Sequence, residues 1–172
     1  MGKRVQKKKD LKQILIFLLK VNLLLIPFYA IIYFDLSYYP AQKLFALIIF
    51  DIIKFFGFYI KIDETMLLLG DQNYPVNISF DCIGWKSSYS LIALVIASSG
   101  IMKEKLIFLA KWLPAMVAIN ILRVIIAILT GFLLGFESIK IIHDYILQPA
   151  MILVVLTVWW LYAKDKIYSI KK

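Results

Sequence analysis

The chain has 172 residues, 62% of them hydrophobic, with 20 Lys and Arg against 11 Asp and Glu and a net charge of +9. Soluble domains run at roughly 45–50% apolar residues, so this composition exceeds what one core of this size can hide and specifies a polytopic membrane protein. It excludes a disordered chain and a soluble nucleic-acid module, and the basic excess reads as cytoplasmic segments of a membrane protein.

A single domain over 1–172 is expected, opening on a basic tail at 1–12 (Lys3, Arg4, Lys7, Lys8, Lys9, Lys12). The first apolar run, Ile14–Phe34, is too long for a signal-peptide core and reads as a retained anchor. A second run covers Ala41–Ile60 and carries Asp51 and Lys54. The 61–81 connection holds Asp63, Glu64, Asp71 and Asp81 against Lys61 and reads as outside. Its Gly70-Asp71-Gln72-Asn73 turn, followed by alternating Val76, Ile78 and Phe80, predicts a small β-hairpin there. Further spans are expected at Ile83–Ile101, at Trp112–Leu134 with an apolar lead-in at Leu106–Ala110, and at Tyr145–Ala163. The Lys103–Lys105 loop and the basic tail at 164–172 read as inside, and 135–144 as outside.

These sides conflict with five full crossings, because an inside N-terminus and an outside 61–81 loop need an odd number of spans between them. Ala41–Ile60 is the suspect, since Lys43, Asp51, Lys54 and Lys61 share one helical stripe. The expected fold is therefore all-α: a bundle of about four or five transmembrane helices, an interfacial or re-entrant helix, and the hairpin on the outer face.

Ionisable groups inside spans are expensive and mark functional sites. Cys82 stands where the hairpin meets the third span, where a helix N-terminus lowers a thiol pKa; alone it also reads as a small apolar residue. Arg123 lies about 11 residues from the outer end of the fourth span, roughly 16 Å deep, with Asn120 and Thr130 on its face. It needs a partner, and Asp51 is one choice. His143, the one histidine, opens the last span, with Asp144 beside it and Gln148 a turn away. Asp51 and Lys54 are spaced to pair with each other. A nucleophile, a cation and a base on one side of a bundle suit covalent acyl transfer. One cysteine and one histidine leave no Cys-cluster or His-based metal site, and neither a metal nor an organic cofactor is expected.

Cys82-x-Gly84-x-x-Ser87 at the start of one span, Asn120-x-x-Arg123 in the next and His143 at the start of the last resemble the exosortase/archaeosortase family. The resemblance covers roughly residues 60–160. It implies a membrane cysteine transpeptidase with Cys82 as nucleophile, Arg123 as oxyanion-stabilising cation and His143 as general acid/base, supported by Asn120, Gly84 and Ser87. It also implies substrates with C-terminal sorting tails, cleaved on the outer face of the cytoplasmic membrane through a thioester and passed to an acceptor such as a lipid amine. The chain departs from the family at Ile83, where a small or hydroxylated residue is common, and in the bulky Trp85 and Lys86. The alternative is a non-enzymatic transporter or assembly factor in which Arg123 is a structural or gating charge paired with Asp51.

Overall fold

Residues 2–169 are described by a computed structural model, with side chains described over 11–164. The basic side chains at 3–9 and 166–172 lie outside the described residues. Among the described residues three helices are long and apolar enough to cross a membrane: Leu11–Tyr33, Met102–Leu134 and Ser138–Lys164. Trp85–Ala97 is a shorter apolar helix. The protein is a multi-pass membrane protein of helices with one small sheet.

The first span is made of α1 (Gly2–Leu24) and α2 (Ile26–Tyr33), which break apart just before Pro27. Proline has no N–H to continue the helical ladder, which explains the break. No side chain from 11 to 33 is buried, so this apolar helix needs lipid around it. It is tied to the bundle by Phe17, stacked 5.6 Å from Trp159, and by the Tyr89 hydroxyl, which donates to the Leu24 carbonyl at 2.8 Å.

The second apolar run gives no helix long and apolar enough to be counted among those three. It forms α3 (Tyr39–Phe55), started by Pro40 in its first turn. The stripe Phe45, Ala46, Ile49 and Ile53 is buried, whereas Lys43, Asp51 and Lys54 are exposed. The helix stops before Gly57, whose φ of +83° suits a residue without Cβ. Lys61 therefore leaves the helical stripe the sequence suggested and sits on a strand, where its Nζ donates to Asn73 at 3.2 Å. The expected Asp51–Lys54 pair is not formed: Lys54 lies over the Phe50 ring instead, 5.3 Å from its centroid.

The expected hairpin is present as β2 (Met66–Leu69) and β3 (Tyr74–Asn77), and β1 (Ile60–Asp63) makes it a three-stranded antiparallel sheet in the order β1-β2-β3. Ile60, Leu67, Leu69 and Ile78 are buried with the α3 stripe and with Val124, Ile125, Ala127 and Ile128 of α5 (Met102–Leu134). This layer caps one end of the bundle.

A second apolar cluster lies between α4 (Trp85–Ala97), α5 and α7 (Gln148–Ser169), centred on Leu91, Val95, Met116, Met151, Val155 and Val158. The predicted lead-in and fourth span are one helix of 33 residues, about 50 Å long, with Pro114 inside it. α4 is only 13 residues, about 20 Å. Its far end is held by Lys105, which is buried and donates to the Ile96 and Ser98 carbonyls at 2.7 and 2.5 Å. An ammonium there satisfies carbonyls that a helix C-terminus leaves open and complements the helix dipole.

A candidate cysteine acyl-transfer site

Cys82 lies in a 3-10 turn, Phe80–Ile83, between the sheet and α4. Gly84 follows with φ +80°, which turns the chain into α4. A Cβ there would lie 2.6 Å from the Asn120 side chain, so glycine serves both the backbone angle and the close approach. Asn120 is buried in α5, and its Nδ2 donates to the Cys82 carbonyl at 2.6 Å. The nucleophile turn is thereby fastened to α5, one helical turn from Arg123.

The last apolar run begins earlier than expected. α6 (Ser138–Ile141) turns back along α5, and a π-helical segment, Ile142–Leu147, leads into α7. His143 is on that π segment, inside the long helix rather than at its mouth. Widened π turns recur at functional sites. The reversal at Gly135 brings His143 down to the level of Arg123, with His143 Nε2 3.2 Å from Arg123 Nη2. His143 Nδ1 is 2.8 Å from an Asp144 carboxylate oxygen. A guanidinium only donates, so Nε2 is the acceptor and the Nδ1 hydrogen is given to Asp144.

Cys82 and His143 line one cavity, and the Cys82 Sγ is 3.4 Å from the Ser79 hydroxyl. Burial pushes the thiol up, but once its proton is on His143 Nε2 the imidazolium and the Ser79 hydroxyl stabilise the thiolate more than burial opposes it, and the thiol is held below its ordinary value. A depressed thiol is what a nucleophile at neutral pH requires.

The structure thus brings Cys82, Arg123, His143, Asn120 and Gly84 together. Ser87 lines the adjoining cavity. Thr130 stays outside, its hydroxyl bonded to the Ala127 carbonyl of its own helix. Asp51 is exposed on α3, and Arg123 faces His143, which removes the Asp51–Arg123 pair on which the transporter alternative relied. Ser79 and Asp144 act at the site without having been singled out for it. Asp144 was legible as the neighbour of the one histidine; Ser79 belongs to a loop with no periodicity to mark it. Asp81 is also occupied, its carboxylate accepting from Lys86 at 2.7 Å and from the Trp85 indole at 3.2 Å.

A cavity of about 520 Å³ opens beside these residues. Its polar end holds Cys82, Arg123, His143 and Asp144. From there it follows α4 and α7 past Ser90 and Gln148 to Leu94, Val155 and Leu156. About 12 Å of helix rise separates Gln148 from Leu156. Ile152 and Leu156, on its wall, are 60% and 44% exposed, so the cavity opens sideways between α7 and Phe28 of α2. Two buried polar atoms at the site, Asn120 Oδ1 and Arg123 Nε, have no protein partner.

The family model described as transmembrane exosortase (Exosortase_EpsH) matches residues 7–161. The chain belongs to the transmembrane exosortase family. No curated protein and no solved structure matches it. The matched region of this exosortase takes in the first span from residue 7, the sheet, the nucleophile turn with α4 and α5, and α7 as far as residue 161.

Proposed function

We propose that this exosortase is a cysteine transpeptidase that cuts C-terminal tails from membrane-tethered proteins. The observation that carries the reading is the convergence of Cys82, Arg123 and the Asp144-bonded His143 at the head of a cavity open to the side. A substrate whose tail is itself a membrane helix arrives in the membrane plane, and a lateral apolar opening ending at a nucleophile suits it.

In the proposed reaction His143 Nε2 takes the Cys82 proton and the thiolate attacks the scissile carbonyl. The carbonyl electron pair moves onto oxygen. Protonation of Nε2 turns its contact with Arg123 into donor against donor, which releases the guanidinium to stabilise the oxyanion. Collapse breaks the C–N bond, His143 passes its proton to the leaving amine, and a thioester to Cys82 remains. An acceptor amine then attacks the thioester, His143 takes its proton, and the proton returns to the thiol. Asp144 holds the imidazole in the tautomer this needs.

The site belongs on the outer face of the cytoplasmic membrane, with both termini cytoplasmic. The acidic 61–81 segment is beside the site, and Lys103, Lys105 and Lys111 are at the other end of α5. Leaving α3 out of the count gives one crossing before residue 61, and with both termini inside this reading needs the 13-residue α4 as a fourth crossing beside the three long helices. The deciding experiment is an acid-quenched digest of the protein expressed with its natural partners. A peptide in thioester linkage to Cys82, absent in Cys82→Ala, is expected. Continued processing of tailed proteins by Cys82→Ala would overturn the proposal.

A further inference from the structure

Cys82, His143 and Asp144 are shared by two cavities, not one. The second, about 340 Å³, lies on the sheet side of the site. One wall is β3 along its whole length, from Tyr74 to Asn77, and the facing wall carries Lys140 and His143. The floor includes Val124, Ala127 and Ile128 of α5.

β3 is an edge strand, paired with β2 and, among the described residues, with no other strand. The direction of its free backbone groups follows from Pro75. Proline has no N–H to give to β2, so Tyr74 and Val76 face β2 and Pro75 faces away. The Ile78 N–H, which donates to the Thr65 carbonyl at 2.9 Å, keeps the same alternation. The open edge therefore presents the Pro75 carbonyl and both the N–H and the carbonyl of Asn77, within the cavity that contains Cys82.

Acyl transfer at a thiol requires room for the chain on both sides of the scissile bond. The larger cavity is apolar at depth and open to the side, which suits the membrane tail. We infer that the open edge of β3 is the subsite for the substrate residues on the acyl side of the scissile bond, which dock there as an added strand. This rests on the acyl-transfer reading of Cys82. Main-chain hydrogen bonds supply the grip, and alternate substrate side chains fall on the apolar α5 floor. The segment must be extended and tolerant in sequence at every second position.

The test uses the full-length protein in lipid nanodiscs and electrophiles that carry acyl-side residues only. N-acetyl-Ala-Val-Ala chloromethyl ketone is compared with forms N-methylated at one amide each, and with iodoacetamide. The thiolate displaces halide in every case, giving a thioether. Methylating an amide that pairs with the edge is expected to slow Cys82 labelling about fivefold, and methylating its neighbour to leave the rate unchanged. Asn77→Pro, which removes the one edge donor, is expected to slow the parent peptide by at least the same factor at an unchanged iodoacetamide rate. Equal rates for all the methylated probes on the wild-type protein would overturn the inference, and that arm needs no variant to fold. If iodoacetamide fails to label Cys82 at neutral pH, the acyl-transfer reading itself fails, and the inference with it.

Discussion

The most informative perturbation is His143→Ala, read through the ionisation of the one cysteine. In the wild-type protein burial works against the Cys82 thiolate, and the hydrogen bonds from His143 and Ser79 overcome it. Without the imidazole, burial is opposed by Ser79 alone, so the thiol rises. A hydrogen bond to a charged group contributes about 1.5–3 kcal/mol, which is a ten- to hundredfold change in the thiolate fraction at neutral pH. The assay is the rate of alkylation of Cys82 by iodoacetamide against pH, in nanodiscs. The wild-type rate should level off below the ordinary thiol range of about 8.5. The His143→Ala rate should be about ten- to hundredfold lower at pH 7 and should converge with wild type at high pH, where both thiols are ionised. Convergence separates lost ionisation from lost access or lost folding. Superimposable profiles for the two proteins would refute the thiol–imidazole pairing.

Gly84→Ala should destabilise the site, since the new Cβ meets Asn120 at 2.6 Å and φ is +80°; thermal unfolding should show a loss of at least about 1–2 kcal/mol from the backbone angle alone, only partly recovered in Gly84→Ala/Asn120→Ala. Lys105→Met should cost about 1–3 kcal/mol by leaving the Ile96 and Ser98 carbonyls open. In the fraction that stays folded, its Cys82 alkylation profile should match wild type, because Lys105 is at the end of α4 remote from the 3-10 turn. Asp51→Asn/Lys54→Met should change stability by no more than about 0.5 kcal/mol, and the charge swap Asp51→Arg/Arg123→Asp should not restore alkylation, since Asp51 is exposed and Arg123 is engaged with His143.

Much of the site was legible because ionisable residues are rare within apolar runs. Cys82, Arg123 and His143 stood out as a nucleophile, a cation and a base in three consecutive segments, and Asn120 by its spacing from Arg123. What each one touches was less legible. Asp51 and Lys54 have the spacing of a helical pair, yet an exposed pair gains little in water, and Lys54 rests on Phe50 instead. Asp51 offered Arg123 a partner by charge alone, and in the fold it is exposed on α3. The π segment at Ile142–Leu147 has no sequence mark, because a single wide turn does not disturb the apolar pattern enough to show. Nor does a run of apolar residues state whether it meets lipid or protein. Leu11–Tyr33 and Ala41–Ile60 look alike in composition, yet the first buries nothing and the second packs a stripe on the sheet.

By itself the sequence determined that the chain lives in a membrane, that a turn falls at Gly70–Asn73, and which ionisable side chains stand out within apolar runs. These follow from composition, from Pro and Gly, and from the cost of charge in an apolar run, all of them local properties. Tertiary structure decided the partners. His143 meets Arg123 because the chain reverses at Gly135 and returns along α5, and Cys82 joins them at one cavity with its carbonyl pinned by Asn120 from 38 residues away. The open edge of β3 at that same cavity is likewise a matter of which strand is left unpaired. Such contacts join residues distant in the chain, so no window of sequence contains them.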